Sequence, residues 1–265
     1  MKLAVGQMEP KICNTEENLV RVKAILKEAE KANVDVLVLP ELCNSGYVFK
    51  DISEATDSAE SIPKGPLSRE LIAWSERGRL VVAGICEHSD VGLYNSAGIF
   101  ARGKHIATYR KIHLFLNEKD WFRPGQEEPP VIEYNGYHFG VMICFDWIFP
   151  EVTRLLALKG AQVILHPANL VLPYCQNAMV TRSIENRVFT ATANRIGTER
   201  EVEFSGLSQI TDIRGNRLCQ MKKEEVGIVS VIIDPALADN KSITERNDVL
   251  GDRQPKLYTR ITQDD

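Results

Sequence analysis

Cys144 lies at the junction of a short apolar strand and a helix, a position that suits a catalytic nucleophile. Residues Phe139–Ile143 are apolar and rich in β-formers, which predicts a buried strand. Pro150-Glu151 then opens a run at helical spacing that Gly160 closes. A cysteine at such a turn is held rigidly beside the next backbone N–H, which is the geometry of a nucleophile elbow. The alternative is a buried structural cysteine, the commoner role of a single Cys in an apolar run.

Two charged residues also follow apolar segments directly and could share a cleft with Cys144. Glu41 follows VLVLP, and Lys111 follows the second strand of a predicted hairpin. In a sheet built from these strands, equivalent strand ends could converge on one cleft. Charged residues that flank apolar strands are often gatekeepers against aggregation, so either residue alone would be structural. Their joint occurrence with the cysteine favours a catalytic cluster.

The predicted elements alternate strands and helices at first and then change to antiparallel strands. Apolar runs and turn signals predict strands over Leu3–Gln7, Val34–Leu39, Leu80–Cys86, Leu93–Ala101, Lys104–Arg110, Val131–Tyr134, Gln162–His166 and Phe189–Ala193. Helical spacing predicts helices after Asn14, Pro66 and Pro150 and over Pro173–Arg187, the last with Met179, Ile184 and Val188 on one side. β-Hairpin material is predicted over Phe204–Thr211, Arg217–Met221 and Glu225–Ile233. Residues 111–130 lack periodicity, and such long connections are usually functional.

Composition is that of an ordinary globular protein. The 265 residues are 44% hydrophobic and 26% charged, with a net charge of −4 and no basic stripe that would attract nucleic acid. No signal peptide and no apolar run of membrane-spanning length is evident, so we expect a cytoplasmic protein without membrane partners. We expect one domain over residues 1–265, with about 235–265 as an extension packed on the surface or on a partner subunit.

The cysteines and histidines show no pattern of a metal site. The six cysteines, which contain no CxxC pair, are Cys13, Cys43, Cys86, Cys144, Cys175 and Cys219. The five histidines, which show no HExxH or paired-ligand spacing, are His88, His105, His113, His138 and His166. These spacings argue against a disulfide framework and against zinc.

From its first strand through roughly Ile233, the chain resembles the nitrilase superfamily of carbon–nitrogen hydrolases. The matching segments are VLPEL around Glu41, YRKIHLF around Lys111 and ICFDWIFPE around Cys144, in the family's order. The resemblance implies a Glu-Lys-Cys triad and an α/β fold in which one domain forms an α-β-β-α four-layer sandwich. It also implies that Glu118, in HLFLNEKDWFRPG, is the second glutamate that many members carry near the active site.

The roles implied by the resemblance follow from ordinary thiol chemistry. A thiol with a pKa near ~8.5 is mostly protonated at neutral pH, so Glu41 is expected to take its proton as sulfur attacks an amide carbon. Lys111 and the backbone N–H of Phe145 are expected to stabilise the oxyanion. Ammonia leaves with a proton from Glu41, or with help from Glu118, and water hydrolyses the acyl-thioester on Cys144. No step requires a metal or an organic cofactor.

The elbow and the neighbouring loop predict the substrate class. Members that resemble omega-amidases carry an arginine where this chain has Ile148, and that arginine can bind a substrate carboxylate. We therefore expect small neutral or apolar primary amides rather than dicarboxylic monoamides or N-carbamoyl amino acids. Arg123 or Arg195 could replace the missing arginine from another loop. The candidate substrate-binding residues are Phe145, Trp147, Ile148, Asn169 and Trp121.

The sequence is also compatible with other functions. The triad alone does not separate an amidase from a nitrilase, although dedicated nitrilases resemble CWEN where this chain has CFDW. A Cys-His pair of Cys144 with His113 or His166 is a second alternative. A non-catalytic binding protein on the same fold is a third. The resemblance further implies a homodimer or an assembly of dimers, with the helix over Glu151–Lys159 and the helix after Pro173 at the interface.

Overall fold

The computed structural model describes residues 1–263, in which two six-stranded sheets lie between layers of helices. The strands are β1 Lys2–Gln7, β2 Val36–Val38, β3 Leu80–Ser89, β4 Gly92–Ala101, β5 Lys104–Arg110, β6 Val131–Tyr134, β7 Tyr137–Val141, β8 Val163–Ala168, β9 Phe189–Asn194, β10 Thr198–Glu199, β11 Val202–Glu203, β12 Gln209–Thr211, β13 Arg217–Gln220, β14 Gly227–Ile232, β15 Ser242–Thr244 and β16 Asn247–Asp248. The α-helices are α1 Thr15–Lys31, α2 Ile52–Asp57, α3 Pro66–Ser75, α4 Glu118–Trp121, α5 Pro150–Leu158 and α6 Cys175–Asn186.

The first sheet has the strand order β14-β1-β2-β3-β4-β5. Strands β1, β2 and β3 are parallel, whereas β4 and β5 form the predicted antiparallel hairpin. Helix α1 makes the crossover from β1 to β2, since parallel neighbours need a long connection. Its N-cap is Asn14, as predicted, and the Asn14 side chain accepts a hydrogen bond from the backbone N–H of Glu17.

The second sheet has the order β13-β12-β9-β8-β7-β6. Strands β7, β8 and β9 are parallel, and α5 and α6 make the two crossovers between them. The predicted strand before Cys144 is β7, and the helix that follows the cysteine is α5, which begins at Pro150. Strand β6 closes one edge by pairing antiparallel with β7.

The two sheets pack face to face because their strands are apolar on both sides. Leu3 and Val5 of β1 face the second sheet, whereas Ala4 faces the helices, as the period of two along a strand requires. Helices α1 and α3 cover the outer face of the first sheet, and α5 and α6 cover the second. The predicted α-β-β-α sandwich is confirmed.

Three details differ from the sequence-based expectation. The segment Glu225–Ile233 does not close a hairpin with the strand before it, because β14 crosses to the other sheet and pairs antiparallel with β1. Ile184 does not face the core but is 42% exposed, since the apolar side of α6 is centred on Cys175 and Met179. The short helices α2 and α4 were not predicted, because six and four residues are too few to show a helical period.

The C-terminal segment lies against α5 and α6. A guanidinium nitrogen of Arg154 on α5 donates to the carbonyl of Val249, and the Lys241 ammonium donates to the carbonyls of Asn186 and Arg187 at the end of α6. The predicted extension includes residues 264–265, which lie outside the described residues. Within residues 1–263, no helix has both the length and the apolar character that a membrane crossing needs.

Candidate active site

Glu41 is held in a tight turn directly after β2. The backbone N–H of Cys43 donates to the carbonyl of Gly84 at 2.9 Å, and the N–H of Gly84 donates to the carbonyl of Pro40 at 3.0 Å. A Cβ atom on Gly84 would lie 2.2 Å from the Cα of Glu41, so only glycine lets β3 approach the turn this closely. The Glu41 side chain is consequently fixed and fully buried.

Lys111 lies between two buried carboxylates. Its Nζ is 2.7 Å from Oε1 of Glu41 and 2.7 Å from Oε1 of Glu118, and all three side chains are buried. The backbone N–H of Lys111 donates to the carbonyl of Asn95, which extends the β4–β5 pairing to the strand end that carries the lysine. The structure therefore brings the three predicted charged residues into one cluster.

Two further residues, which the sequence analysis did not identify, bind the carboxylates of this cluster. Nδ2 of Asn95 donates to Oε1 of Glu41 at 2.7 Å and to Oε2 of Glu118 at 3.3 Å. The Tyr47 hydroxyl donates to Oε1 of Glu118 at 2.7 Å. Asn95 is a buried amide within a mostly apolar strand, and that placement was the available signal. Oε2 of Glu41 and Oδ1 of Asn95 have no hydrogen-bond partner within residues 1–263, so Oε2 is the carboxylate oxygen of Glu41 that is free to accept a proton.

Cys144 lies at the predicted elbow and has a strained backbone. Its φ of 38° is in the left-handed region, and it begins a 3₁₀ turn over Cys144–Ile148. Such φ values are uncommon for residues other than glycine and persist where the surroundings hold them. The thiol donates to the carbonyl of Asn169 at 3.7 Å, and the side chain is 5% exposed. The elbow geometry predicted from the sequence is therefore present.

Burial and charge set the protonation of this cluster. Burial raises the pKa of the Cys144 thiol well above its usual value, and the Glu41 carboxylate raises it further, while the Lys111 ammonium opposes both. Burial also raises the pKa of Glu41 to about 7, against the influence of Lys111. Although burial alone would lower it, the Glu118 and Glu41 carboxylates raise the pKa of Lys111. The cluster thus combines a neutral thiol, a charged lysine and a carboxylate that can bind a proton near neutral pH.

The two histidines considered as partners of the cysteine are engaged elsewhere. Nε2 of His166 donates to the backbone carbonyl of Cys144 at 3.0 Å, and its Nδ1 accepts from the hydroxyl of Thr192 at 3.1 Å. Burial lowers the pKa of His166 to about 4, so the ring is neutral. Nδ1 of His113 lies 2.7 Å from Oδ1 of Asp146. Both nitrogens of His166 and Nδ1 of His113 are thus bound to groups other than the thiol, which disfavours a Cys-His pair.

A small apolar cavity of about 20 Å³ opens beside the Cys144 thiol. Three of the predicted substrate-binding residues, Phe145, Trp147 and Asn169, line it, together with Phe115, Leu170, Val171 and Leu172. Both polar atoms of the buried Asn169 carboxamide lack a hydrogen-bond partner within residues 1–263. The cavity has room for about one water molecule, which matches a small substrate group.

Two of the predicted substrate-binding residues lie away from this cavity. Ile148 is 42% exposed at the end of the 3₁₀ turn, because the turn directs Trp147 rather than Ile148 inward. Trp121 packs in a separate apolar cluster that contains Phe49 and Phe122. Neither residue is among those that line the cavity beside Cys144.

The arginines considered as substitutes for a carboxylate-binding arginine do not line the cavity either. The guanidinium of Arg195 is buried and bound to the Glu199 carboxylate and to the carbonyl of Pro10. The side chain of Arg123 packs against Gly92. In addition, residues 1–263 contain no group of three or more His, Cys, Asp or Glu side chains placed to hold a metal ion.

Comparisons with known proteins agree with this architecture. A family model described as carbon-nitrogen hydrolase matches residues 2–241. The chain is 42% identical over 263 residues to a nitrilase of Pyrococcus abyssi, covering 98% of this chain and 100% of that protein. It is 33% identical over 250 residues to a 2-oxoglutaramate amidase of Bacillus subtilis, covering 91% of this chain and 93% of that protein.

A solved structure extends the likeness to three dimensions. The crystal structure of an amidase from Nesterenkonia sp. matches with a TM-score of 0.84 and 25% sequence identity, covering 98% of this chain and 95% of that one. The family match, the curated relatives and the shared sandwich lead to one conclusion. The chain belongs to the nitrilase superfamily and is a carbon–nitrogen hydrolase.

Proposed function

We propose that this hydrolase is an amidase that releases ammonia from small, uncharged primary amides through an acyl-thioester on Cys144. The observation that carries the proposal is the buried cluster in which Lys111 bonds both Glu41 and Glu118 beside the neutral thiol of an elbow cysteine. A thiol with a raised pKa does not ionise by itself at neutral pH, so the reaction needs the adjacent carboxylate as its base.

The first step is attack of sulfur on the amide carbon. Oε2 of Glu41, which is free of other hydrogen bonds within residues 1–263, takes the proton of the Cys144 thiol as the C–S bond forms. The electron pair of the C=O bond moves to oxygen. Lys111 and the backbone N–H of Phe145 stabilise that oxyanion, since N–H groups in the first turn of a helix lack an intrahelical acceptor.

The second step expels ammonia and the third releases the acid. Protonated Glu41 gives its proton to the amide nitrogen as the C–N bond breaks, which leaves the acyl-thioester. Water then attacks the thioester carbon while Glu41 again accepts a proton, and the thiolate takes that proton when the C–S bond breaks. Glu118 keeps Lys111 and the leaving nitrogen in position during these steps. The balance is one amide and one water consumed for one carboxylic acid and one ammonia.

The cavity supports small and neutral substrates. Its walls are the apolar side chains named above, and the lining residues include no arginine or lysine within the part of the chain that the structure describes. A substrate carboxylate would therefore lose its hydration without gaining a charged partner, which is costly in an apolar site. The unpaired Asn169 carboxamide offers its NH₂ group as a donor and its oxygen as an acceptor to a neutral polar group instead.

Nitrile hydrolysis is the second candidate, and one observation favours it. The 42% identical relative from Pyrococcus abyssi is named a nitrilase. The same thiol can attack the carbon of a C≡N group to give a thioimidate, which two waters convert to acid and ammonia. The cluster around Lys111 serves both reactions, and the ratio of amide to nitrile turnover distinguishes them.

A panel of matched substrates tests the proposal. Ammonia release is measured as kcat/KM for propionamide, propionitrile, an omega-monoamide such as succinamate and an N-carbamoyl amino acid. We expect propionamide to be the fastest, and a nitrile that is turned over faster than its amide would refute the assignment.

Mapping of the covalent intermediate tests the nucleophile. Intact mass and peptide mapping after exposure to an electrophilic amide should place the adduct on Cys144, and Cys144→Ala should abolish turnover. The half-buried Cys219 supplies the control, since Cys219→Ala removes a thiol outside the cluster and should retain activity.

We also propose that the protein forms a homodimer or an assembly of dimers through α5, α6 and the C-terminal segment. A groove of about 570 Å³ between α5 and residues 253–262 is lined by Pro150, Arg154, Tyr258 and Ile261, among others. Leu257 and Ile261 in this segment are exposed apolar side chains. Self-complementary two-fold contacts are the commonest way to cover such a face.

A further inference from the structure

We propose that Glu199 is a positioning residue for amide hydrolysis and acts through Tyr47 on Glu118. Glu199 is buried in the β10–β11 hairpin and is not part of the cavity beside Cys144. The inference rests on the function proposed above, because it assigns Glu118 a part in that reaction. It concerns how the cluster is held in place, not which bonds it breaks.

The Glu199 carboxylate organises the backbone that carries Tyr47. Its two oxygens accept from the backbone N–H of Tyr47 at 2.8 and 3.0 Å, and Oε2 also accepts from the N–H of Val48 at 3.2 Å. Gly46 permits this approach, since a Cβ atom there would lie 2.8 Å from Oε1 of Glu199. The φ of Gly46 is +81°, which glycine adopts without strain. One carboxylate therefore fixes two successive residues of the loop.

Arg195 holds that carboxylate in turn. Its Nη1 is 2.9 and 2.8 Å from the two oxygens of Glu199, and its Nη2 donates to the carbonyl of Pro10 at 2.9 Å. The guanidinium also lies 4.0 Å from the centre of the Phe204 ring. A buried charged pair with this many partners has one defined geometry, which is what a positioning element requires.

Tyr47 transmits this geometry to the cluster around Lys111. Its ring makes a T-shaped contact with Phe204, with ring centres 6.0 Å apart, and Phe204 is also the ring on which Arg195 packs. Its hydroxyl donates to Oε1 of Glu118, the atom that also accepts from Lys111. A shift of the loop would consequently move Glu118 and with it the ammonium that serves the oxyanion.

The alternative is that the Arg195–Glu199 pair only stabilises the fold. The two roles differ in a double-mutant cycle, because a positioning effect needs the Tyr47 hydroxyl and a general loss of stability does not. The variants are Tyr47→Phe, Glu199→Gln and both together, assayed with propionamide at a temperature at which each is folded by circular dichroism. Glu203→Gln is the matched control, since Glu203 lies across the same hairpin in an exposed pair with Lys223.

We expect Tyr47→Phe and Glu199→Gln each to lower kcat by about 10- to 100-fold with KM changed less than about threefold, as for loss of a hydrogen bond to a charged group. The double variant should lie within about threefold of the slower single variant, because both changes release the same contact. Glu203→Gln should keep wild-type kcat. A loss below about tenfold in Glu199→Gln, or single losses that multiply in the double variant, would overturn the inference.

Glu199→Asp replaces Glu199→Gln in the same cycle if the latter does not fold. It keeps the negative charge beside Arg195 but shortens the side chain by one methylene, so the carboxylate no longer reaches both N–H groups. The same losses and the same non-additivity are expected.

A second measurement separates this inference from the proposed function. The rate of alkylation of Cys144 by iodoacetamide should fall at least about threefold in Tyr47→Phe and Glu199→Gln, because Lys111 stabilises the attacking thiolate. If the wild type leaves propionamide intact while these alkylation rates fall, the proposed function fails and the positioning role stands. If the wild type hydrolyses propionamide and both the turnover rate and the alkylation rate are unchanged in the variants, the proposed function stands and the positioning role of Glu199 fails.

Discussion

The carboxylate of Asp146 lies 2.7 Å from Nδ1 of His113 and so ties the turn that carries Cys144 to the segment that follows Lys111. Its other oxygen accepts from the backbone N–H of Ile143 at 2.9 Å and from the hydroxyl of Tyr109 at 2.8 Å. Tyr109 and His113, on either side of Lys111, are thus both bonded to Asp146, which also holds the residue before Cys144. We therefore expect this buried side chain to help set the distance between the Cys144 thiol and the Lys111 ammonium.

Asp146→Asn should impair both stability and catalysis. The carboxamide keeps one acceptor but places an NH₂ group against donors, which leaves buried groups unpaired and costs about 2–4 kcal/mol in the free energy of unfolding. Loss of the link should lower kcat by about 10- to 100-fold in the folded fraction. Urea denaturation and amide turnover measure the two effects. The matched control is Asp120→Asn, an exposed aspartate in α4, and an equal loss there would remove the special role of Asp146.

The residues allowed part of the cluster to be predicted because Glu41, Lys111 and Cys144 each follow a strand, whereas Glu118 was implied only by the resemblance to the family. Glu41, Lys111 and Cys144 all lie at the ends of strands that the apolar pattern made visible, and the structure brings the charged residues together as expected. Asn95 and Tyr47 escaped this reasoning, since the pairing of β3 with β4 and the fold of the loop after Glu41 decide what their side chains touch.

Long-range pairing was the part that local patterns could not decide. An alternating strand such as β14 fits the edge of either sheet, and only packing against α1 and β1 selects its partner. Local patterns also could not decide what Arg195 binds, and the sequence analysis considered it as a ligand for a substrate carboxylate. In the fold it is buried against Glu199, four residues along the chain. Ile148 shows the same effect at the elbow, because the 3₁₀ turn directs its side chain outward.

The raised pKa of Glu41 predicts an acid limb in the pH profile. Burial raises the pKa of Glu41 to about 7, and the general base must be ionised to act. We expect kcat/KM to rise about tenfold per pH unit below about pH 7 and to level off above it, with the limb belonging to the coupled cluster rather than to one group. Asn95→Leu should move the limb to higher pH, because the Asn95 amide lowers the pKa of Glu41. A limb at the same or lower pH in that variant would contradict this reading.

The raised pKa of Glu41 also makes the fold less stable at high pH. Its pKa in the fold, about 7, exceeds the ordinary value of 4.5, so its contribution to stability is present below pH 4.5 and is lost as pH rises through about 7. Glu41→Gln also leaves Lys111 with one carboxylate instead of two. We expect the inactive variant to be more stable than the wild type above about pH 7, by about 1–3 kcal/mol, and similar to it near pH 5. Urea denaturation at both pH values measures this, and equal curves at high pH would rule it out.

Phe115 should limit the size of the substrate. Its ring lines the cavity and lies 4.8 Å, centre to centre, from the ring of Phe145. Phe115→Ala adds space on the order of a benzene ring, so kcat/KM for benzamide or hexanamide should rise relative to propionamide by about 10-fold or more. Leu116→Ala is the control, because Leu116 is the next residue and its side chain is exposed. An unchanged ratio in Phe115→Ala would show that another wall sets the size limit.

If the proposed dimer forms, an aspartate at an apolar position of the interface should change the mass in solution, whereas an aspartate at an apolar position elsewhere should not. Ile261 belongs to the groove beside α5, whereas Val20 lies on α1 in the opposite outer layer, and both side chains are exposed. An aspartate at Ile261 would put an unpaired charge into an apolar contact, which costs several kcal/mol when buried and almost nothing in water. Light scattering of the wild type should give a mass of about 60 kDa or a multiple of it, since the chain is 29.8 kDa. Ile261→Asp should shift that mass toward the single chain and Val20→Asp should leave it unchanged. A wild type that scatters as one chain at micromolar concentration would refute the dimer, and equal effects of the two substitutions would place its interface elsewhere.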